Sequence, residues 1–169
     1  FIMKINELLE MYKKNKMINL KNVLEVEEYV STPLKRKMCE LVLDSCMEEN
    51  NGILYFDSLD RYLLFTIAVI SMHTNLEFSV NEEGETSIDE YDELNKVGLI
   101  EKIIGTFEKD YEACMVMLDM LTNDRIKNHE TLEKKIVKFL NNMSNEIESL
   151  NDLENKDDIL KLLEDLAVK

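Results

Sequence analysis

Apolar positions recur every three or four residues along most of this chain, the period of an α-helix with one buried face. Ile5, Leu8, Leu9 and Tyr12 form the first such stripe within residues 4 to 16, and Lys13, Lys14 and Lys16 gather at its end, where cations suit the helix dipole. Val23 to Val30 is rich in β-branched residues and partly alternates, so it reads as extended, with helix as the alternative. Thr32 followed by Pro33 predicts a helix start with threonine as the cap. That helix runs to about Glu48, turns Leu34, Met38, Leu41, Val42 and Cys46 inward, and stops at Asn50-Asn51-Gly52. Ile53 to Phe56 is a short extended piece, and Asp57 or Ser58 caps the next helix.

From Leu59 to about Thr74 almost no polar face remains, which predicts a central helix surrounded by others. Glu77 to Glu93 then carries eight acidic residues and no basic one, the pattern of an exposed loop. Ser87-Ile88-Asp89-Glu90 has capping-box spacing and starts a helix that carries Tyr91 and Leu94 inward. Leu99, Ile100, Ile103, Ile104 and Phe107 form a short stripe between Gly98 and a break near Gly105. Two further helices follow, one burying Tyr111, Cys114, Met115, Leu118 and Leu121, the other running from Leu132 to Leu150, with His129 in a polar joint or helix between them. The expected architecture is mainly α, a single-domain helical bundle of about six to eight helices with room for a minor extended hairpin. Residues 1–150 form the helical core, and 151–169, with Ile159, Leu160, Leu162, Leu163 and Leu166, a C-terminal helix that docks or detaches.

Composition narrows the function classes. The 169 residues suit one domain, and 4 glycines with 1 proline leave few of the breakers that sheets and phosphate loops need. With 35 acidic against 20 basic residues the net charge is -15, which repels a nucleic-acid backbone and argues against direct nucleic-acid binding. Tyr62 to Met72, the longest apolar run, is too short for a membrane span, and the first residues lack a signal-peptide pattern. An odd set of cysteines, Cys39, Cys46 and Cys114, fits a reducing cytoplasm. Cys39 and Cys46 share a helix face but stand about 10 Å apart along it, too far for a disulfide.

No nucleotide-binding loop, nucleophile elbow or zinc-protease signature occurs, so no catalytic residue, metal ligand or cofactor is assigned. His73 and His129 lack ligand-spaced partners and read as structural or surface residues. An EF-hand register on Gly84 would use Ser79, Asn81, Glu83 and Glu90, but its first ligand is poor and a solvated acidic loop is the better reading. Glu82, Glu83, Glu85, Asp89, Glu90, Asp92 and Glu93 are the candidate partner-binding residues, a set of carboxylates that a basic protein surface would neutralise. Met115, Met117 and Met120 read first as core, with an adaptable docking face as the alternative.

Lys4-Ile5-Asn6-Glu7-Leu8-Leu9, Val26-Glu27-Glu28-Tyr29-Val30, His73-Thr74-Asn75-Leu76-Glu77-Phe78 and Tyr91-Asp92-Glu93-Leu94 carry a resemblance. Over residues 4 to 150 the chain resembles small acidic helical proteins of tailed bacteriophages and prophages of low-GC Gram-positive bacteria. The resemblance implies a non-enzymatic protein in the host bacterial cytoplasm or the virion. Its partner would be a phage structural subunit, bound during virion assembly or at a connector. The alternative is a host nucleic-acid-binding enzyme, with the protein as an acidic nucleic-acid mimic of the anti-CRISPR or anti-restriction kind.

Overall fold

The structure is a computed structural model that describes residues 2–51, 53–80 and 86–150. It is mainly α-helical, with two small two-stranded sheets, as the periodicity predicts. The chain divides into two compact units, Phe1–Arg125 and Ile126–Lys169. The expected 151–169 helix lies outside the described residues.

In the first unit, strand β1 (Met3–Lys4) pairs in parallel with β4 (Leu76–Glu77), and helix α1 (Ile5–Lys14) follows directly. The α1 stripe is buried as expected, and Glu7 turns back to accept the Lys4 N–H at 3.3 Å. After a 3-10 turn at Leu20–Asn22 the chain runs extended, bridging Val26 to Thr74 and donating the Glu27 N–H to the His73 carbonyl at 2.8 Å. The extended reading of this segment holds, without a regular strand.

Helix α2 (Thr32–Cys46) departs from expectation in three ways. Ser31 takes the N-cap position, moving Thr32 and Pro33 into the first turn. The helix ends at Cys46 rather than Glu48, because β2 (Met47–Asn50) folds back antiparallel on β3 (Ile53–Phe56). The chain therefore turns a hairpin after Asn50 instead of closing a helix, with Asn51 at φ 53, a left-handed conformation asparagine tolerates; Gly52 lies outside the described residues. The inward face is also rotated: Lys35, Cys39 and Leu43 join Met38, Val42 and Cys46, while Leu34 and Leu41 stay 49% and 57% exposed. Two apolar stripes compete on this helix, and the one that brings Lys35 to a buried carboxylate is used.

Helix α3 (Ser58–His73) begins at Asp57, whose carboxylate accepts the N–H groups of Leu59 and Asp60 at 2.9 Å. Phe65, Ile67, Val69, Ile70 and His73 are buried, but Leu59 and Tyr62 at its start are exposed, so only the later turns are central. Ser87 caps α4 (Ile88–Lys96) and accepts the Glu90 N–H, and Tyr91 and Leu94 point into the core as expected. Gly98, at φ 71, makes the left-handed junction into α5 (Leu99–Ile104).

Helix α6 is one continuous element, Glu108–Leu150, where two helices and a joint are expected. Nothing between Glu108 and Leu150 is glycine or proline, so the polar stretch around His129 has no residue that must break it. Within the first unit, Cys114, Leu118 and Thr122 face the core and Arg61 ties α3 to α6 through Asp119 at 2.9 Å. Met115, Val116 and Met120 are exposed, which corrects the reading of Met115 and Met120 as core. In the second unit α6 continues with Ile136, Val137, Phe139 and Leu140 exposed.

Candidate functional site

Three ionisable side chains meet inside the first unit. Lys35 comes from α2, His73 from the last turn of α3 and Asp110 from the first turn of α6, and they are 4%, 0% and 5% exposed. Each position follows from its own helix. Lys35 sits four residues before Cys39 on the buried face; His73 ends the apolar α3 stripe four residues after Val69; Asp110 lies between Phe107 and Cys114 on the inward side of α6. At the N-terminus of α6 the helix dipole also favours a carboxylate.

Asp110 is the hub. Its Oδ1 accepts from the Lys35 ammonium, and its Oδ2 accepts the Val30 backbone N–H at 3.0 Å and faces His73 Nε2 at 2.8 Å. The other ring nitrogen, Nδ1, stands 2.9 Å from the Val69 carbonyl oxygen. The imidazole stacks on Phe107 with centroids 4.3 Å apart, and the Lys35 ammonium lies 4.5 Å from the centre of the Tyr29 ring. Burial alone would raise the Asp110 carboxyl, but the bonds from Lys35, His73 and Val30 outweigh it and hold the group below the ordinary carboxylate value.

Asp110, His73 and Cys114 offer donor atoms within 4.8 Å of one another, which raises a metal centre as a reading. Their surroundings do not fit one. The Lys35 ammonium already serves as the cation on Asp110, and the other oxygen is filled by Val30 and His73. Desolvation pushes the Cys114 thiol up to about 11, whereas metal binding needs the thiolate. Cys39, pushed up to about 12 by burial, donates to the Cys114 carbonyl at 3.6 Å. All three cysteines are free and buried. The cluster holds α2, α3, α6 and the segment before α2 together.

The outer surface offers a groove of about 600 Å³ between α2 and α3, closed at one end by Leu76, Phe78 and Val80. Leu34 and Leu41 stand on its rim, with Met38, Val42, Leu64 and Ile67 below. Lys37 also lines it and has no ion-pair partner among the described residues; Glu77, on the opposite wall, is paired with Lys4.

Of the carboxylates expected to form a partner surface, Asp89, Asp92 and Glu93 are exposed on α4. Glu90 is committed within the molecule, accepting the Ser79 N–H at 2.6 Å and the Ser79 hydroxyl at 2.7 Å. Glu82, Glu83 and Glu85 lie outside the described residues. Sequence reasoning overlooked the Lys35, His73 and Asp110 cluster, although a lone aspartate inside the Phe107 to Cys114 apolar stripe was a legible signal.

Comparison of the chain with protein-family models, with curated proteins and with solved structures returns no match.

Proposed function

We propose that this protein acts by binding another protein, as an assembly or connector component of a phage-type particle. The observation that carries the reading is the open apolar groove between α2 and α3, rimmed by Leu34 and Leu41. Leaving such side chains wet costs roughly 25 cal/mol for each Å² that a partner would cover, so covering them drives association. The ionisable cluster supports the same reading from the other side, since its groups are spent on one another inside the core.

The net charge of -15 and the exposed Asp89, Asp92 and Glu93 favour one second reading, an acidic mimic that occupies the basic groove of a host nucleic-acid enzyme. Salt separates the two, because exposed charge pairs are screened over about 8 Å at physiological ionic strength whereas apolar contact is not. The test is affinity capture from phage-infected low-GC Gram-positive cells at low and high salt, with mass spectrometry of what is retained. Particle subunits held at high salt support assembly; a nucleic-acid-binding enzyme released by salt supports mimicry.

A further inference from the structure

The buried Lys35 ammonium lies under an aromatic ring. Its nitrogen is 4.5 Å from the centre of the Tyr29 ring, yet the lysine is 4% exposed and the tyrosine 64%. Tyr29 belongs to residues 25–30, which pass the end of α3 and reach the start of α2 without forming a helix or a regular strand. Backbone N–H groups tie this stretch down: Glu25 donates to Asn75 Oδ1 at 3.0 Å, Glu27 to the His73 carbonyl at 2.8 Å and Val30 to Asp110 Oδ2 at 3.0 Å. Val30 is buried, whereas Glu25, Glu27, Glu28 and Tyr29 are exposed. A stretch that buries so little side chain opens at a lower free energy than the helices beneath it, whose inward residues fill the core.

We infer that residues 25–30 are a strap that opens as a unit while α2, α3 and α6 stay folded, and that opening lifts the Tyr29 ring off Lys35 and gives its amine to solvent. One carboxylate couples the two events. Asp110 accepts both the Val30 N–H and the Lys35 ammonium, and Tyr29 is the residue next to Val30, so releasing that N–H moves the ring. In the open state the Lys35–Asp110 pair stands in water, where an ion pair is worth little. A local event on an outer segment therefore reaches the tie between α2 and α6. The strap works in this way whether or not the groove binds a partner.

Differential labelling of the full chain in a urea series tests it, read residue by residue by mass spectrometry. The N-hydroxysuccinimide ester of acetic acid acylates accessible lysines: the amine forms an amide, N-hydroxysuccinimide leaves and the proton goes to the buffer. In parallel, N-ethylmaleimide reports on Cys39 and Cys114, both 0% exposed and each one turn from a member of the cluster. Lys37, exposed two residues beyond Lys35, sets the unhindered rate. Lys35 labels more slowly than Lys37 and with a shallow dependence on urea, because strap opening exposes little surface; the two thiols label only along the steep global transition. Tyr29→Ala speeds Lys35 labelling about tenfold, the worth of a desolvated cation–ring contact, and leaves the thiol rates unchanged. Tyr29→Phe keeps the ring and leaves Lys35 as in wild type. Amide hydrogen exchange gives a second reading: the Glu27 and Val30 amides exchange together, and sooner than those of Val69 and Ile70 in α3. Lys35 labelling as fast as Lys37, or only on the steep urea dependence of the thiols, overturns the inference. So does a Tyr29→Ala chain in which the Lys35 rate stays put or rises only in step with the thiols.

Discussion

Replacing Asp110 with Asn probes the cluster that joins three helices. The side chain keeps its size and one acceptor oxygen, so the Val30 N–H or the Lys35 ammonium retains a partner but the negative charge is gone. Lys35, 4% exposed, is then a buried ammonium without its counter-ion, and the amide NH₂ brings a donor against donors already pointing at the site. Removing one partner of a buried pair costs about 3–5 kcal/mol, a large share of the roughly 5–15 kcal/mol that holds a domain together. Urea titration followed by circular dichroism at pH 7 gives the cost directly. The pH dependence supplies a second signature. Because the folded carboxyl lies below its unfolded value near 3.9, its contribution is fully present above about pH 4 and disappears as the pH falls through the folded value. The gap between wild type and Asp110→Asn therefore narrows below about pH 4. Adding Lys35→Met to the variant removes the stranded charge and recovers about 0.5–3 kcal/mol relative to the sum of the single changes. A loss under about 1 kcal/mol at pH 7, or a gap that does not change with acid, refutes the role given to Asp110.

Three other outcomes follow from the same packing. Leu43→Ala, at a fully buried α2 position, lowers stability by about 2–5 kcal/mol in the same urea assay, and a loss below 1 kcal/mol would contradict the rotated face of that helix. Asn51→Gly is neutral or slightly stabilising while Asn51→Val, a β-branched residue at φ 53, costs about 1–2 kcal/mol, as thermal melts of the pair will report. Cys39 and Cys114, buried and pushed up to about 12 and 11, resist a thiol reagent at pH 8 until urea unfolds the chain, and native mass spectrometry with and without chelator finds the same metal-free mass.

Local signals were legible where one residue decides the geometry. Asp57 and Ser87 cap the helices they were expected to cap, and the stripes of α1, α4 and α5 are buried as their spacing implies. The departures come from competition that no local window resolves. Lys35 outweighs Leu34 for the inside of α2 only because Asp110, 75 residues later, waits there. Asn51-Gly52 serves a helix end and a hairpin equally well, and the pairing of Met47 with Phe56 decides for the hairpin. The acidic segment promised a surface of uniform charge, yet Lys4 takes up Glu77 and Ser79 takes up Glu90, contacts made by residues outside the acidic run itself or at its edge. Met115 and Met120 were legible as apolar positions of α6, but that they face outward rather than into the core depended on where the core lay.

Partner capture by two variants tests most directly whether apolar surface or acidic surface does the binding. One carries Leu34→Asp and Leu41→Asp on the groove rim; the other carries Asp89→Asn, Asp92→Asn and Glu93→Gln on α4, all exposed positions in the fold. Each is used beside wild type in affinity capture from phage-infected cells, with retained proteins quantified by mass spectrometry. The account predicts that the groove variant loses the particle subunits and the α4 variant keeps them. Retention by the groove variant together with loss by the α4 variant would contradict it and assign the interface to the carboxylates.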